Sequence, residues 1–161
     1  FVKGKLLMSF GDIKRWMYNG NRPNWIAKAL NRFWAWAHGI GIAPNYLVTL
    51  DVVGRKSGKI ISFPLVMTVV NDERYLVSML GEDVQWVKNI RAANGKALLR
   101  HGKRESVQLD IIPAQERPPI LKAYLLHAPG AVPHVPVDKN APVEAFKTIA
   151  DQYPVFRVRV V

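Results

Sequence analysis

Asp51–Pro64 reads DVVGRKSGKIISFP. An apolar octet, YLVTLDVV at 46–53, runs into it, and a second apolar run containing SFPLVMTVV follows. Two segments rich in β-branched residues, broken by a short glycine-rich and charged interval, have the pattern of a β-hairpin. Its tip is Gly54-Arg55-Lys56-Ser57-Gly58. A glycine-bounded turn can aim backbone N–H groups at an oxyanion. Arg55 can grip such a group with a bidentate fork, Lys56 as a point charge and Ser57 through its hydroxyl. A basic hairpin tip is also what plain solvation favours. The GxxxxGK[ST] spacing of a P-loop is absent, and no helix follows the tip.

Outward from the hairpin, the period-2 pattern continues. Residues 46–53, 60–70, 74–79, 97–101 and 104–112 read as strands, with VFRVRV at 155–160 as a last one. Asn71-Asp72 and His101-Gly102-Lys103 supply tight turns. Between the third and fourth strands, Trp86, Val87, Ile90 and Ala93 recur at helical spacing. Asp83 offers an N-cap and Asn94-Gly95 a stop. Pro118-Pro119 opens a helix that runs to about His127, and 142–152 reads as a final helix. Strands joined by tight turns pair antiparallel. The expected fold is therefore α+β: a small, mostly antiparallel barrel of about six strands with peripheral helices, one domain over 1–161.

Residues 1–44 read as a helical N-terminal extension, with 45–161 the barrel. Over 12–41, Trp25, Ile26, Ala29, Leu30, Phe33, Trp34, Trp36 and Ala37 share one side of a helical wheel, opposite Lys28, Asn31 and Arg32. Such a face over 25–37 suits either peripheral membrane contact or packing on the domain or on a second subunit.

The chain has 161 residues and a formal charge of 23 − 12 = +11. That excess points to an anionic partner: nucleic acid, membrane surface or polyanionic small molecule. Nucleic acid is disfavoured, because the strands do not interleave cations with aromatics and no recognised module occurs. The absence of cysteine excludes disulfides, thiolate metal sites and a Cys nucleophile. Four scattered histidines without HExxH suggest no metal, and GxSxG is missing. His127 and His134 remain as neutral-pH proton carriers or as structural residues. No run of about 18 apolar residues and no signal-peptide pattern are present, so a cytoplasmic location is expected, with peripheral attachment at the inner membrane face as an option.

The ordered trio of GRKSG at 54–58, Pro64-Leu65, and Trp86-x-x-Asn89 resembles the deazaflavin-dependent nitroreductase family, a branch of the flavin-binding split β-barrels. The resemblance covers roughly 45–112. It implies coenzyme F420, a hydride carrier with a phosphate and an oligoglutamate tail, or FMN as the alternative. By position, Arg55, Lys56 and Ser57 would meet the anionic side of the cofactor. Ser62, Phe63, Pro64, Leu65 and Val66 would line the ring, Ser78 and Met79 would lie at its edge, and Trp86 and Asn89 would fix the closing helix. Ser78 and Tyr124 are the candidate catalytic residues. The implied activity is hydride transfer from reduced coenzyme F420 to a quinone, enone or nitro compound, in a homodimer. A barrel that binds a ligand without catalysis is the alternative. The chain departs from the family pattern at Ile60 and Ile61, where relatives carry a proline and a cation, and at Met79, where a lysine is common. Its loop before Trp86 is short and carries Glu82 and Asp83. Lys59, Lys88 and Arg91 are the cations able to compensate.

Overall fold

The computed structural model describes residues 46–161 and, isolated before them, the exposed helical Arg32. The expectations for 12–41 and for membrane contact at 25–37 otherwise lie outside the described residues. Six strands close an antiparallel barrel in the order β1-β2-β3-β6-β5-β4. They are β1 (Leu47–Val53), β2 (Ile60–Val70), β3 (Glu73–Val77), β4 (Lys96–His101), β5 (Lys103–Ile111) and β6 (Val155–Val160). Helix α1 (Gln85–Ala92) lies between β3 and β4, and α2 (Pro118–His127) follows β5.

The turns form where local chemistry requires them. Asn71 and Asp72 both adopt positive φ, 51° and 63°, the twist that a two-residue hairpin needs. Gly102 does the same between β4 and β5, at φ 71°. Pro118 and Pro119 occupy the first turn of α2, where missing N–H groups cost nothing. Helix α1 ends on Asn94 and Gly95, both left-handed. At Gly95 a Cβ would collide with the Gln108 side chain and the Leu109 carbonyl, so only glycine permits this close pass over β5.

The apolar residues divide into two clusters. Inside the barrel, Val48, Leu50 and Val52 of β1 pack with Met67, Leu76, Leu99, Val107 and Phe156, and α1 closes the interior with Trp86, Val87 and Ile90. Outside it, α2 and the following segment pack Leu121, Tyr124, Leu125, Phe146 and Tyr153 onto Leu47, Val66 and Val77. Strand β1 is covered on both faces, which accounts for its nearly unbroken apolar run. Its exception is Asp51. This fully buried carboxylate lies 2.8 Å from Arg100 Nε and accepts a 2.5 Å hydrogen bond from Ser62 Oγ.

Three local expectations are corrected. The stretch 142–152 is two short 3-10 turns, Val143–Thr148 and Ala150–Gln152, rather than one α-helix. Pro142 precedes the first, and the β-branched pair Thr148-Ile149 separates the two. The third strand stops at Val77 instead of residue 79, because the Ser78 N–H turns to the Pro154 carbonyl, 2.9 Å away. The N-cap of α1 is Val84 rather than Asp83, and no side chain caps it. No described helix is long and apolar enough to cross a membrane.

Arg117 ties the outer cluster together. It is buried and donates to the carbonyls of Ile112 at 2.8 Å, Ala150 at 2.9 Å and Tyr153 at 3.3 Å. Arg117→Met is expected to lower stability by about 2–4 kcal/mol, since charge-assisted hydrogen bonds are lost and buried carbonyls are left unpaired. The urea midpoint of the purified variant checks this.

Candidate functional site

Strand β2 pairs with β1 over Ile60–Val66 but with β3 only over Met67–Val70. Beyond the Met67–Leu76 pair β2 and β3 part, and β3 instead follows β6 to the Val77–Val155 pair. Residues 63–66 thus have an edge with no strand beside it. Pro64 is tolerated there, since a proline fits a strand where no ladder partner needs its N–H. A cavity of about 340 Å³ lies along this opening. Phe63 to Val66 form one wall, and Val77 to Leu80 form the end of the gap. Val84, Gln85 and Trp86 enter from the start of α1, and Tyr124, Ala128 and Ala131 face them from the outer cluster.

The lining is mostly apolar, so its few polar side chains decide what can be held. Ser78 is buried and its hydroxyl donates to the Gly81 carbonyl at 2.5 Å. That bond, with Gly81 at φ 90°, folds Ser78–Gly81 into a turn that presents Met79 and the exposed Leu80. The Ser78 proton is therefore committed to the backbone. Tyr124 is the reverse case. It is 4% exposed and lines the cavity, and its phenol has no hydrogen-bond partner among the described residues. Burial pushes its pKa above the ordinary tyrosine value, so the hydroxyl stays a neutral donor.

The hairpin tip reaches the cavity through α1. The Arg55 Nη1 donates to Gln85 Oε1 at 2.9 Å and to Asn89 Oδ1 at 2.8 Å, and the Arg55 backbone N–H also reaches Asn89 Oδ1, at 3.2 Å. Asn89 is buried; Gln85 lines the cavity mouth. Trp86 descends into the barrel against Phe156, ring centres 5.5 Å apart, and anchors the helix. The backbone of the tip is partly committed. Gly54 N–H bonds the Lys59 carbonyl at 2.7 Å, Gly58 N–H the Gly54 carbonyl at 2.8 Å, and Lys59 N–H the Ser57 Oγ at 3.2 Å. These donors close the loop on itself, which leaves the N–H groups of Lys56 and Ser57 and the side chains of the tip to meet an anion. Lys56, Ser57 and Lys59 are exposed.

Of the residues singled out from sequence, Phe63, Pro64, Leu65, Val66, Ser78, Met79, Trp86 and Tyr124 line one cavity. Arg55 and Asn89 sit behind its rim, joined to it through Gln85. Ser62 does not line it: strand alternation turns its hydroxyl to Asp51. Glu82 pairs with Arg91 at 3.2 Å, which offsets one added acid and occupies one compensating cation. Sequence reasoning missed Val77, Leu80, Val84, Gln85, Ala128 and Ala131. Gln85 carried a signal, being the polar residue one position before the helix tryptophan. The two alanines carried none beyond their small size. Among the described residues no group of His, Asp and Glu could hold a metal ion.

The arrangement fits a flat ring of mixed polarity. The apolar walls suit its faces, the phenol and the Gln85 amide suit polar groups on its edge, and the exposed lysines of the tip suit an anionic extension.

Comparison with known proteins agrees with this geometry. The model of the F420H(2)-dependent quinone reductase family matches residues 31–145. No curated protein matches the chain in sequence. Among solved structures, Atu2129 from Agrobacterium tumefaciens, described as of unknown function, is 12% identical with a TM-score of 0.52. The alignment covers 78% of this chain, which spans only 54% of that protein's length. A structure described as a domain-swapped dimer is 20% identical with a TM-score of 0.52, covering 84% of this chain and 98% of the other. These two show the shared fold. The structure of an F420-H2-dependent reductase, FDR-A, is 23% identical over 71% of this chain and 94% of its own, with a TM-score of 0.49. The chain belongs to the F420H(2)-dependent quinone reductase family, oxidoreductases whose cofactor is coenzyme F420.

Proposed function

We propose that the cavity between β2, α1 and α2 is where coenzyme F420 and a hydride acceptor meet, the acceptor being a quinone or a related electron-poor carbonyl or nitro compound. The observation that carries this reading is Tyr124, whose phenol lies in an otherwise apolar cavity with no hydrogen-bond partner among the described residues. A lone hydroxyl donor in an apolar pocket orients the polar atom of a ligand that comes within its reach.

The bound cofactor supplies the hydride, and the chain supplies placement. Phe63, Pro64, Leu65 and Val66 form the wall for the ring, and Trp86 fixes the helix beside it. Met79 and Leu80, held by the Ser78 turn, cover the mouth and exclude water from the reacting faces. Ser78 is thus a positioning residue. Tyr124 donates a hydrogen bond to the acceptor oxygen as negative charge builds on it, which is oxyanion stabilisation by a preorganised donor. Lys56, Lys59 and Lys88 provide positive charge for the anionic side of the cofactor, with Ser57 adding a hydroxyl beside them. The protein acts as a single-domain homodimer, like the solved structure described as a domain-swapped dimer. A cytoplasmic location is part of this reading, and the aromatic face over 25–37, outside the described residues but for Arg32, suits either a membrane surface or packing on the domain or a second subunit.

Parallel fluorescence titrations with coenzyme F420 and FMN test the cofactor. Tight binding of the first and weak binding of the second is expected, and the opposite order overturns the assignment. Tyr124→Phe is expected to lower acceptor reduction about a hundredfold while leaving cofactor affinity unchanged. Because the phenol is pushed above its ordinary value, the wild-type rate should show no loss from its ionisation up to about pH 10. The two adjacent tip cations should separate. Lys56→Ala weakens cofactor binding and changes stability by no more than about 0.5 kcal/mol. Arg55→Ala also costs about 1–2 kcal/mol of stability, because it releases Asn89 and Gln85. Denaturant melts beside the titrations distinguish the two.

A further inference from the structure

We propose that Gln85 is a specificity-determining donor at the cavity mouth, held in a single amide orientation by Arg55. The inference rests on the cavity being the coenzyme F420 site and adds a residue that the family motifs did not single out.

The chemistry of the partner settles the orientation. A guanidinium can only donate, so the end of the amide facing it must be the oxygen. Arg55 Nη1 lies 2.9 Å from Gln85 Oε1 and 2.8 Å from Asn89 Oδ1. Gln85 and Asn89 are four residues apart on one helix, so both present their oxygens to the same cation. Rotating the Gln85 amide by half a turn would set its NH2 against the guanidinium N–H groups and forfeit a charge-assisted bond. The Gln85 oxygen is thus committed to Arg55, and the NH2 is turned away from it on a side chain that lines the cavity. Asn89 is buried and its oxygen also receives the Arg55 backbone N–H, so the clamp has a fixed base.

The donor inventory of the lining gives this orientation its meaning. The Ser78 proton is spent on Gly81, and the Tyr124 phenol remains available. With the Ser78 proton spent and the phenol given to the acceptor, the Gln85 NH2 makes the mouth a donor-bearing edge in an apolar pocket. Such an edge selects a ring whose rim carries carbonyl oxygens or an oxyanion, and disfavours one that presents N–H groups there. Arg55 acts through Gln85 and is a positioning residue, while the phosphate contact falls to the exposed lysines.

Gln85→Glu isolates the donor role. The carboxylate still accepts from Arg55, so the clamp survives, but both N–H groups are gone. The full chain is titrated with coenzyme F420 by fluorescence at 0.1 M and 0.5 M salt, beside thermal melts. Gln85→Glu is expected to melt no lower than wild type and to bind at least tenfold more weakly. The loss should persist at 0.5 M salt, where simple charge repulsion is screened. Neutral Gln85→Met should weaken binding as well. Met79→Trp, which fills the cavity from the turn, serves as the control. If it abolishes binding while Gln85→Glu binds within twofold of wild type, or recovers in high salt, Gln85 is only a strut for Arg55 and the proposal fails alone. If wild type binds no coenzyme F420, or Met79→Trp binds it normally, the cavity assignment fails and takes the proposal with it.

Discussion

One carboxylate in an otherwise apolar strand fixes where the rest of the site falls. Asp51 is fully buried, and a buried charge persists only with partners. Arg100 and Ser62 are those partners, and they meet it only when Asp51 stands opposite Ser62 on β2 and Leu98 on β4. A slip of one residue would turn the acid into the barrel interior, among Leu50 and Val52. With the register pinned, Val53 pairs with Ile60 and the tip begins at Gly54. A Cβ at Gly54 would lie 2.8 Å from Ser57 Oγ and 2.9 Å from Ile61 Cδ1, so a larger residue would have to push both side chains aside. Arg55 therefore arrives against Asn89, and Phe63 and Leu65 arrive at the gap beside α1.

What could be read from sequence is what short-range chemistry decides. The β1–β2–β3 meander, its turn at Asn71-Asp72 and the proline start of α2 depend on neighbours in the chain. So does the run from Phe63 to Val66 as an apolar wall. What resisted reading depends on partners far away in sequence. Ser78 and Met79 continue an apolar pattern and look like strand until the Pro154 carbonyl takes the Ser78 N–H. Arg55 and Lys56 are equivalent by composition, yet one is bound to residues 30 and 34 positions later and the other faces solvent. The 3-10 turns after Pro142 contain good helix formers, but their conformation follows their docking on α2 and β6.

The family pattern shows the same division. The elements that carry the resemblance, Trp86 and Asn89, serve the architecture of α1: the tryptophan enters the barrel and the asparagine holds the hairpin tip. The departures cluster around the hairpin tip and the loop before α1. Ile61 stands in for a cation and packs under Gly54 as part of the tip's own fold. Glu82 is offset by Arg91. The hairpin tip is thus held by its own packing and by Arg55, its internal cation.

The two walls of the cavity belong to different cores. Phe63, Leu65 and Trp86 are part of the barrel interior, whereas Tyr124, Ala128 and Ala131 are part of the outer cluster with α2. A change of size at Ala128 or Ala131 falls on the outer cluster, which also holds Val66 of the facing wall, and not on Phe63, Leu65 or Trp86. Selection can therefore reshape one side of the chamber while the other is conserved. With the cofactor against the barrel wall and the acceptor against α2, as proposed, acceptor preference can drift without renegotiating how the electron donor is held.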